Sequence, residues 1–332
     1  MVDKRSRWAA ALSFSIAALI LSFIAAVVVG SRPLDLHRAW QGISPDREVL
    51  MDLRVPRALL ALWTGGALAL SGVLFQALLR NSLATPYTLG VSGGASLGAV
   101  IAICCGWRLA GSLPAVCISA FAGAGLVLVI LVAVASENGR MSSLGLLLAG
   151  VTINSICAAL ILFLSNLATF LQSFAVTRWL MGGLDAPDYS TLMWLTIVLT
   201  PVCLIVFWYS REWNVMAVGE TWAATRGLST SRLLLIGCIA GSVLTGAVTA
   251  LTGPIGFVGL IVPHALRIWL GADHRILAPC SFLLGAAFVA ICDVFSRTVL
   301  APVEIPVGVI TALLGGPFFI WMLRSRKGSV VT

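Results

Sequence analysis

Ten apolar runs, each about as long as a lipid bilayer is thick, constrain this chain more than any other feature. A spanning helix takes about 20 apolar residues, and here such runs follow one another with mostly short polar connections. The runs cover residues 8–30, 57–79, 91–108, 112–135, 144–167, 190–210, 233–252, 256–270, 277–300 and 307–323. Because barrel strands alternate apolar and polar residues, these continuous runs predict an all-α integral membrane protein. We expect about ten transmembrane helices in a single polytopic domain over residues 1–332.

The distribution of charge predicts the orientation of these helices. An even number of spans places both termini on one side of the membrane. Of the 21 Lys and Arg residues, thirteen then lie on the terminal side and eight on the other, and basic loops stay in the cytosol. We therefore predict an inner-membrane protein with cytosolic termini, an extracytoplasmic loop at 31–56 and a long cytosolic loop at 211–232. The run 8–30 is too long for a signal peptide, so it is interpreted as a retained first helix.

Several classes of enzyme are disfavoured by residue types that the chain lacks. Its only lysines are Lys4 and Lys327, whereas a P-loop needs a lysine after its glycine-rich turn, so the chain cannot be a P-loop ATPase on its own. The histidines, His37, His264 and His274, lie too far apart in sequence to suggest a clustered catalytic set. We expect no enzymatic activity, no cofactor or metal of its own, and no nucleic-acid partner.

Two irregular apolar stretches predict tight packing near a pathway. Residues 253–275 contain Pro254, Pro263 and several glycines, and residues 80–95 contain Pro86 among further glycines. Broken backbone at membrane depth is tolerated only where protein or a water-filled cavity covers it. We therefore predict a re-entrant or broken cytosolic turn at 80–95. His264, inside the first stretch, is interpreted as a packing residue in preference to a ligand.

Charged residues near the membrane form two expected groups. Asp293 and Arg297 are four residues apart on one span and should pair on one helix face. Arg54, Arg57 and Arg297 form a cationic set on the outer side, and arginine is suited to binding carboxylates with two hydrogen bonds. Contact with lipid head groups is the alternative for these arginines.

Two connecting segments carry further expectations. The 211–232 loop suits a short amphipathic helix, and an apolar face on a cytosolic loop needs a partner to cover it. We favour a docking surface there over a solvated linker. Residues 169–189 are semi-polar and predict a short interfacial helix and turn bordering the outer mouth.

Motifs along the chain resemble the permease family of ABC importers for iron–siderophores, haem and cobalamin. The matching blocks are LRVPR at 53–57, Gly72 with Gln76, RNSLATP at 80–86, LGVSGGA at 89–95, LLLAG at 146–150, residues 253–264, DHR at 273–275, EIPVG at 304–308 and GGPFFIW at 315–321. They occur in order through most of the chain, which makes the set more specific than any one block. Where the family usually has proline after the asparagine that matches Asn81, this chain has Ser82, so the turn is expected to be looser.

The resemblance implies an assembly: a second, identical or different permease subunit, two cytosolic ATP-binding cassette subunits and an extracytoplasmic substrate-binding protein. It implies that Arg54, Arg57 and Arg297 meet glutamates of the binding protein. The residues implied to dock the ATPase are Val218, Gly219, Glu220, Ala223, Arg226 and Gly227. The residues implied to form the inner gate are Asn81, Leu83, Ser142 and Ser143.

The expected function is import of a metal chelate by alternating access at the interface between two permease subunits. A ferric siderophore is the favoured substrate, and haem or cobalamin is the alternative for the same machinery. A carrier driven by protons or sodium is a second class of hypothesis, which Asp293 at membrane depth would support. A membrane-embedded enzyme is the least favoured hypothesis.

Overall fold

Fifteen α-helices make up most of the described chain, which comprises residues 4–107, 114–137 and 140–327 of a computed structural model. In chain order they are α1 (Lys4–Val28), α2 (Leu36–Trp40), α3 (Asp46–Glu48), α4 (Val55–Leu78), α5 (Val91–Cys104), α6 (Ala115–Ala135), α7 (Ser143–Leu167), α8 (Phe170–Leu180), α9 (Tyr189–Trp208), α10 (Ser210–Val218), α11 (Glu220–Thr225), α12 (Thr230–Thr252), α13 (Val258–Leu270), α14 (His274–Thr298) and α15 (Val307–Lys327). A π-helical segment, Val49–Arg54, precedes α4, and a 3-10 helix, Pro86–Leu89, precedes α5. Two-residue strands, β1 (Ser136–Glu137) and β2 (Arg140–Met141), pair antiparallel before α7.

Ten of these helices coincide with the ten predicted runs. Helices α1, α4, α6, α7, α9, α12 and α14 are long and apolar enough to cross a membrane, and α5, α13 and α15 contain shorter apolar helices. The prediction of an all-α membrane protein with about ten spans is thus confirmed. The predicted bounds at 108 and 112 lie outside the described residues.

Helix α4 lies at the centre of the bundle, and nearly all of its residues are buried. It approaches two neighbours so closely that backbone touches backbone. A Cβ added to Gly65 would lie 2.0 Å from the carbonyl oxygen of Gly285 on α14, and one added to Gly72 would lie 2.0 Å from that of Gly259 on α13. Small residues drive such packing because lipid supplies no hydrophobic force between helices. The intramembrane glycines therefore serve largely in bundle packing.

The chain is unwound between α12 and α13, as its breakers predict. Gly253 and Phe257 both have φ of +68°, and the intervening residues are not helical. Gly259, two residues after Phe257, lies against Leu68 and Gly72 in the second half of α4. The break borders the turn after α8 and the start of α15: a Cβ added to Gly182 would lie 2.3 Å from the carbonyl oxygen of Pro254, and one added to Gly308 would lie 3.2 Å from the same oxygen. Neighbouring backbone covers it: a Cβ on Gly253 would lie 2.3 Å from the carbonyl oxygen of Trp179.

Three segments that connect the membrane helices contain short helices of their own. The segment 31–56, predicted as a loop, is helical from Asp46 onward and runs into α4, with Asp46 and Glu48 in its first turn, where acidic residues are favourable. The 211–232 loop contains two helices, α10 and α11, divided at Gly219. The predicted helix and turn at 169–189 is confirmed as α8 followed by a turn at Met181 and Gly182 and by irregular chain up to α9.

The two ends of the bundle are named by their residues. The terminal face is the end where α1 begins, α4 ends and α10 and α11 lie. The opposite face is the end where α4 begins and α14 ends.

Candidate functional site

Four charged side chains meet at the opposite face. Arg57 Nε donates to Asp293 Oδ1 at 2.9 Å, and Arg57 Nη1 donates to Glu304 Oε2 at 2.9 Å. Arg297 Nε lies 3.2 Å from Asp293 Oδ2, an ion pair without hydrogen-bond alignment. The predicted pairing of Asp293 with Arg297 is confirmed. Arg57 and Glu304 complete a distal ionic cluster, defined by these four residues, that helix spacing alone does not predict.

Two arginines of the predicted outer cationic set bind the end of α1. Arg54 donates to the carbonyl oxygens of Val28 and Arg32, each at 2.6 Å, and Arg297 Nη2 donates to that of Ala26 at 2.5 Å. The last carbonyls of a helix lack partners within the helix, and a cation is favourable there. Both arginines are almost fully buried, at 5% and 4% exposure. They fasten α1 to α4 and α14.

Arg57 differs from these two arginines because it borders an open cavity. Its side chain is 13% exposed, that of Glu304 is 47% exposed, and that of Asp293 behind them is fully buried. The cavity measures about 950 Å³ and is walled by α8, the starts of α6 and α9, and residues 183–188 and 303–307. Its charged lining residues are Arg57, Arg178, Asp185, Asp188 and Glu304. The 169–189 segment thus lies at the wall of this cavity.

The predicted ATPase-docking loop has two faces with different surroundings. Val218, Arg226 and Gly227 are exposed, whereas Gly219 and Ala223 are buried and Glu220 is half-buried. The exposed face also holds Trp222, which is 50% exposed and lies under the Arg226 guanidinium at 5.0 Å. Sequence reasoning missed Trp222, although a tryptophan four residues before an arginine on a short helix was the available signal.

Glu220 on the inward face joins the loop to the ends of two long helices. Its Oε1 accepts hydrogen bonds from the backbone N–H of Ser143 at 3.1 Å and from the Ser143 hydroxyl, and lies 3.3 Å from Arg80 Nη2. The Ser143 hydroxyl also lies 2.7 Å from the carbonyl oxygen of Leu78, the last residue of α4. Arg80, Ser143 and Glu220 are named the terminal clamp below.

A second contact fixes α10 to the start of α14. Asn214 Nδ2 donates to Asp273 Oδ1 at 3.0 Å, and Asn214 Oδ1 accepts from the backbone N–H of His274 at 2.8 Å. Asp273 is the N-cap of α14 and pairs with Arg275 at 2.7 Å. The hydrogen bond from Arg275, with one from Asn214, holds the pKa of Asp273 well below its usual range. This carboxylate therefore stays ionised at neutral pH.

The residues predicted as the inner gate lie on two turns of the terminal face. Asn81 Oδ1 accepts from the backbone N–H of Leu83 at 2.9 Å, and Leu83 is 37% exposed. Ser142 is the N-cap of α7 and accepts from the backbone N–H of Gly145 at 3.0 Å. The terminal clamp connects the two turns, because Arg80 precedes Asn81 and Ser143 follows Ser142.

A buried polar layer lies between these turns and the centre of the bundle. Gln76 donates to the carbonyl oxygen of Gly259 at 3.2 Å and accepts from Arg267 Nη2 at 2.8 Å. His264, on the same helix as Gly259 and Arg267, is 2% exposed. Such burial agrees with a packing role for His264.

Known proteins resemble this chain along nearly its whole length. Residues 18–325 match the model of the FecCD transport family. The hemin transport system permease protein of Yersinia pestis is 35% identical over 321 residues, which cover 95% of this chain and 96% of that protein. The vitamin B12 import system permease protein of Citrobacter koseri is 40% identical over 278 residues, which cover 83% of each.

A solved structure extends the similarity to three dimensions. It is described as an inward-facing conformation of a metal-chelate type ABC transporter, and it superposes with a TM-score of 0.84 at 27% identity. The superposition covers 96% of this chain and 99% of that chain. The similarity therefore includes both faces of the bundle.

Proposed function

The chain belongs to the FecCD transport family, and on that basis we propose that it carries a ferric siderophore across the inner membrane as part of an ATP-driven importer. The class is established: a multi-pass permease subunit of an ABC importer for metal chelates, with ATP hydrolysed by separate subunits. Its partners are ATPase subunits, a substrate-binding protein and a second permease subunit. The observation that supports the proposal most strongly is the family match through residues 18–325.

The substrate proposal rests on coordination chemistry. A siderophore coordinates its own iron, as the corrin ring of cobalamin coordinates its cobalt, so a permease for either chelate needs no metal ligands of its own. Within the described ranges, no three His, Cys, Asp or Glu side chains are grouped to hold a metal ion. His264 and His274 are each 2% exposed, so neither is presented to a passing chelate. Haem and cobalamin are the alternatives, favoured by the hemin and vitamin B12 permeases among the relatives.

We place the terminal face in the cytosol, because loops rich in Lys and Arg remain there. The ATPase would then meet the exposed face of α10 and α11, which presents Val218, Trp222 and Arg226. Tryptophan and arginine are among the residue types that contribute most to binding energy when they are buried at a protein interface. Gly227 lies at the rim of this face, whereas Gly219, Glu220 and Ala223 face the bundle.

Transport would follow from movement of this loop. ATP binding and hydrolysis by the partner subunits shift α10 and α11, and the path between two permease subunits opens on one side as it closes on the other. The turns that hold Asn81 and Leu83, and Ser142 and Ser143, would form the cytosolic gate of that path.

At the opposite face, Arg57 is the proposed first contact for carboxylates of the binding protein. It is the most accessible of the three arginines and stands at the cavity mouth. Arg54 and Arg297 are included in the proposed docking set, but each would first have to release carbonyl oxygens of α1. Binding-protein docking by these two arginines would therefore be coupled to displacement of α1.

The proposal is tested with the complete importer in liposomes, supplied with ATP and with radiolabelled ferric siderophore, haem or cobalamin. Uptake of the ferric siderophore alone supports the substrate assignment, and uptake of haem or cobalamin instead contradicts it. Arg57→Glu should abolish binding-protein capture and uptake while the ATPase remains bound. Arg47→Glu, at an exposed site on the same face, is the matched control. Unchanged capture by the Arg57→Glu variant would rule out the docking assignment.

An ion-driven carrier is the rival hypothesis, and the same vesicles test it. The distal ionic cluster gives it little support, because Asp293 is already paired with Arg57 and Arg297 and so has a structural role. Uptake that continues with an uncoupler present and stops without ATP supports the ABC importer. Uptake that collapses with the uncoupler at constant ATP supports the carrier.

A further inference from the structure

Glu220 joins the proposed docking loop, residues 211–232, to the ends of transmembrane helices by a hydrogen bond and an ion pair. Its side chain is 22% exposed and is directed away from the face that holds Trp222 and Arg226. Through one oxygen it contacts Ser143, at the first turn of α7, and Arg80, two residues after the end of α4. A displacement of α11 must therefore break these contacts or move both helix ends.

The chemistry of this site favours a carboxylate. The first backbone N–H groups of a helix have no partner within it and carry partial positive charge. The N–H of Ser143 is such a group on the 25-residue helix α7, and it donates to Glu220. Arg80 supplies a second positive charge at 3.3 Å. A neutral side chain of the same shape would keep the contact but lose both electrostatic attractions.

The Ser143 hydroxyl adds a choice of partners. A hydroxyl has one proton to donate, and two acceptors are in reach: the Leu78 carbonyl oxygen at 2.7 Å and the Glu220 carboxylate. When α11 lies against the bundle, the Ser143 hydroxyl can donate to Glu220 and so link α7 to the docking loop. When α11 moves away, the same proton remains satisfied by α4. The Ser143 hydroxyl can thus change partners and still donate a hydrogen bond.

We propose that Glu220 is a positioning residue that couples the ATPase-docking helix to the gate turns, and that it does not itself contact the ATPase. This inference rests on the proposed function. In one state of the cycle, Glu220 holds α11, the start of α7 and the turn after α4 as one unit. Movement of α11 then moves Ser142 and Asn81, which flank the clamp residues. A permease without this carboxylate assembles normally but transmits little of the movement.

The test compares three single variants in the complete importer: Glu220→Gln, Trp222→Ala and Thr221→Ala, the last an exposed neighbour that serves as control. Two quantities are measured for each, the amount of ATPase that co-purifies and the number of chelate molecules imported per ATP hydrolysed. For Glu220→Gln we expect normal co-purification and a roughly tenfold lower import per ATP, within the range of coupling between sites. For Trp222→Ala we expect loss of the ATPase, and for Thr221→Ala no change.

Ser143→Ala provides a second route to the same answer. It keeps the backbone N–H contact and removes the hydroxyl, so it should lower import per ATP less than Glu220→Gln does. The double variant should be no worse than Glu220→Gln alone, because both substitutions act on one contact. Additive losses, unchanged import per ATP in Glu220→Gln, or loss of the ATPase from that variant would each overturn the proposal. A wild-type chain that neither retains an ATPase nor imports a chelate would instead contradict the proposed function.

Discussion

The distal ionic cluster and the terminal clamp are built from the same kinds of residue, yet their settings differ. In the distal cluster, Asp293 is fully buried on α14. Its partner Arg297 lies one turn further along the same helix, and Arg57 lies on α4, which packs against α14. In the terminal clamp, Arg80 is 43% exposed and Glu220 22% exposed, and both lie on short segments at the edge of the bundle. The side chains of Asp293 and Arg297 are enclosed by protein, whereas those of the clamp, like that of Glu304 at the rim of the distal cluster, are open to solvent.

This difference assigns them different physical roles. Charges taken out of water are costly to separate, so a buried ion pair resists rearrangement. Exposed pairs contribute little to stability and exchange partners readily. The distal cluster therefore holds α4, α14 and α1 in fixed positions, whereas the terminal clamp suits a contact that is made and broken in each transport cycle.

The largest effect is expected from Asp293→Ala, which would leave Arg57 and Arg297 buried without their shared carboxylate. Removing one partner of a buried ion pair costs about 3–5 kcal/mol. Thermal unfolding of the purified permease in detergent should show a large loss of stability, and Asp188→Ala, at an exposed site, should show almost none. Equal losses of stability in the two variants would mean that the buried Asp293 contributes no more to stability than an exposed aspartate does.

An intermediate effect is expected from Arg54→Gln, which removes the charged donor at the end of α1. Hydrogen bonds to charged groups contribute about 1.5–3 kcal/mol, and Arg54 makes such bonds to the carbonyl oxygens of Val28 and Arg32. The free energy of unfolding should fall by about that amount, and proteolysis near residue 30 should become faster. Arg47→Gln, at an exposed arginine, is the control. A stable variant with a protected α1 would show that these bonds do not fasten the helix.

The smallest effect is expected from Arg80→Gln at the terminal clamp. An exposed ion pair contributes about 0.2–1 kcal/mol and is screened by salt. The loss of stability in the Arg80→Gln variant should be small and should disappear in about 1 M salt. The loss in Asp293→Ala should persist at that salt concentration. If the Arg80→Gln effect is large or insensitive to salt, the clamp is as rigid as the distal cluster and the comparison fails.

The sequence predicted local features that depend on short spacing. The Asp293–Arg297 pair follows from helix periodicity, and the unwound segment at 253–257 follows from its glycines and prolines. The helix in 169–189 follows from its composition. Each of these depends on residues within a few positions of one another, so no knowledge of the packing was required.

Contacts between segments that are far apart in the sequence could not be predicted in this way. Arg57 and Asp293 are 236 positions apart, and Ser143 and Glu220 are 77 apart. The resemblance implied that Glu220 docks the ATPase, and that role stays a prediction. The contacts of its side chain with Ser143 and Arg80 could not be predicted, because α11 is too short for its pattern of apolar residues to specify which side is covered.

By itself, the sequence determined that this protein is a bundle of about ten membrane helices, because lipid cannot satisfy exposed backbone and every apolar run must therefore become a helix. It also determined the family, through motifs that occur in order along the chain. Tertiary structure decided which arginines are fastened to α1, which one borders the cavity and which acid joins α11 to the turns after α4 and before α7. Those outcomes depend on how helices far apart in sequence pack, and the direction of a side chain is fixed only when its neighbours are in place.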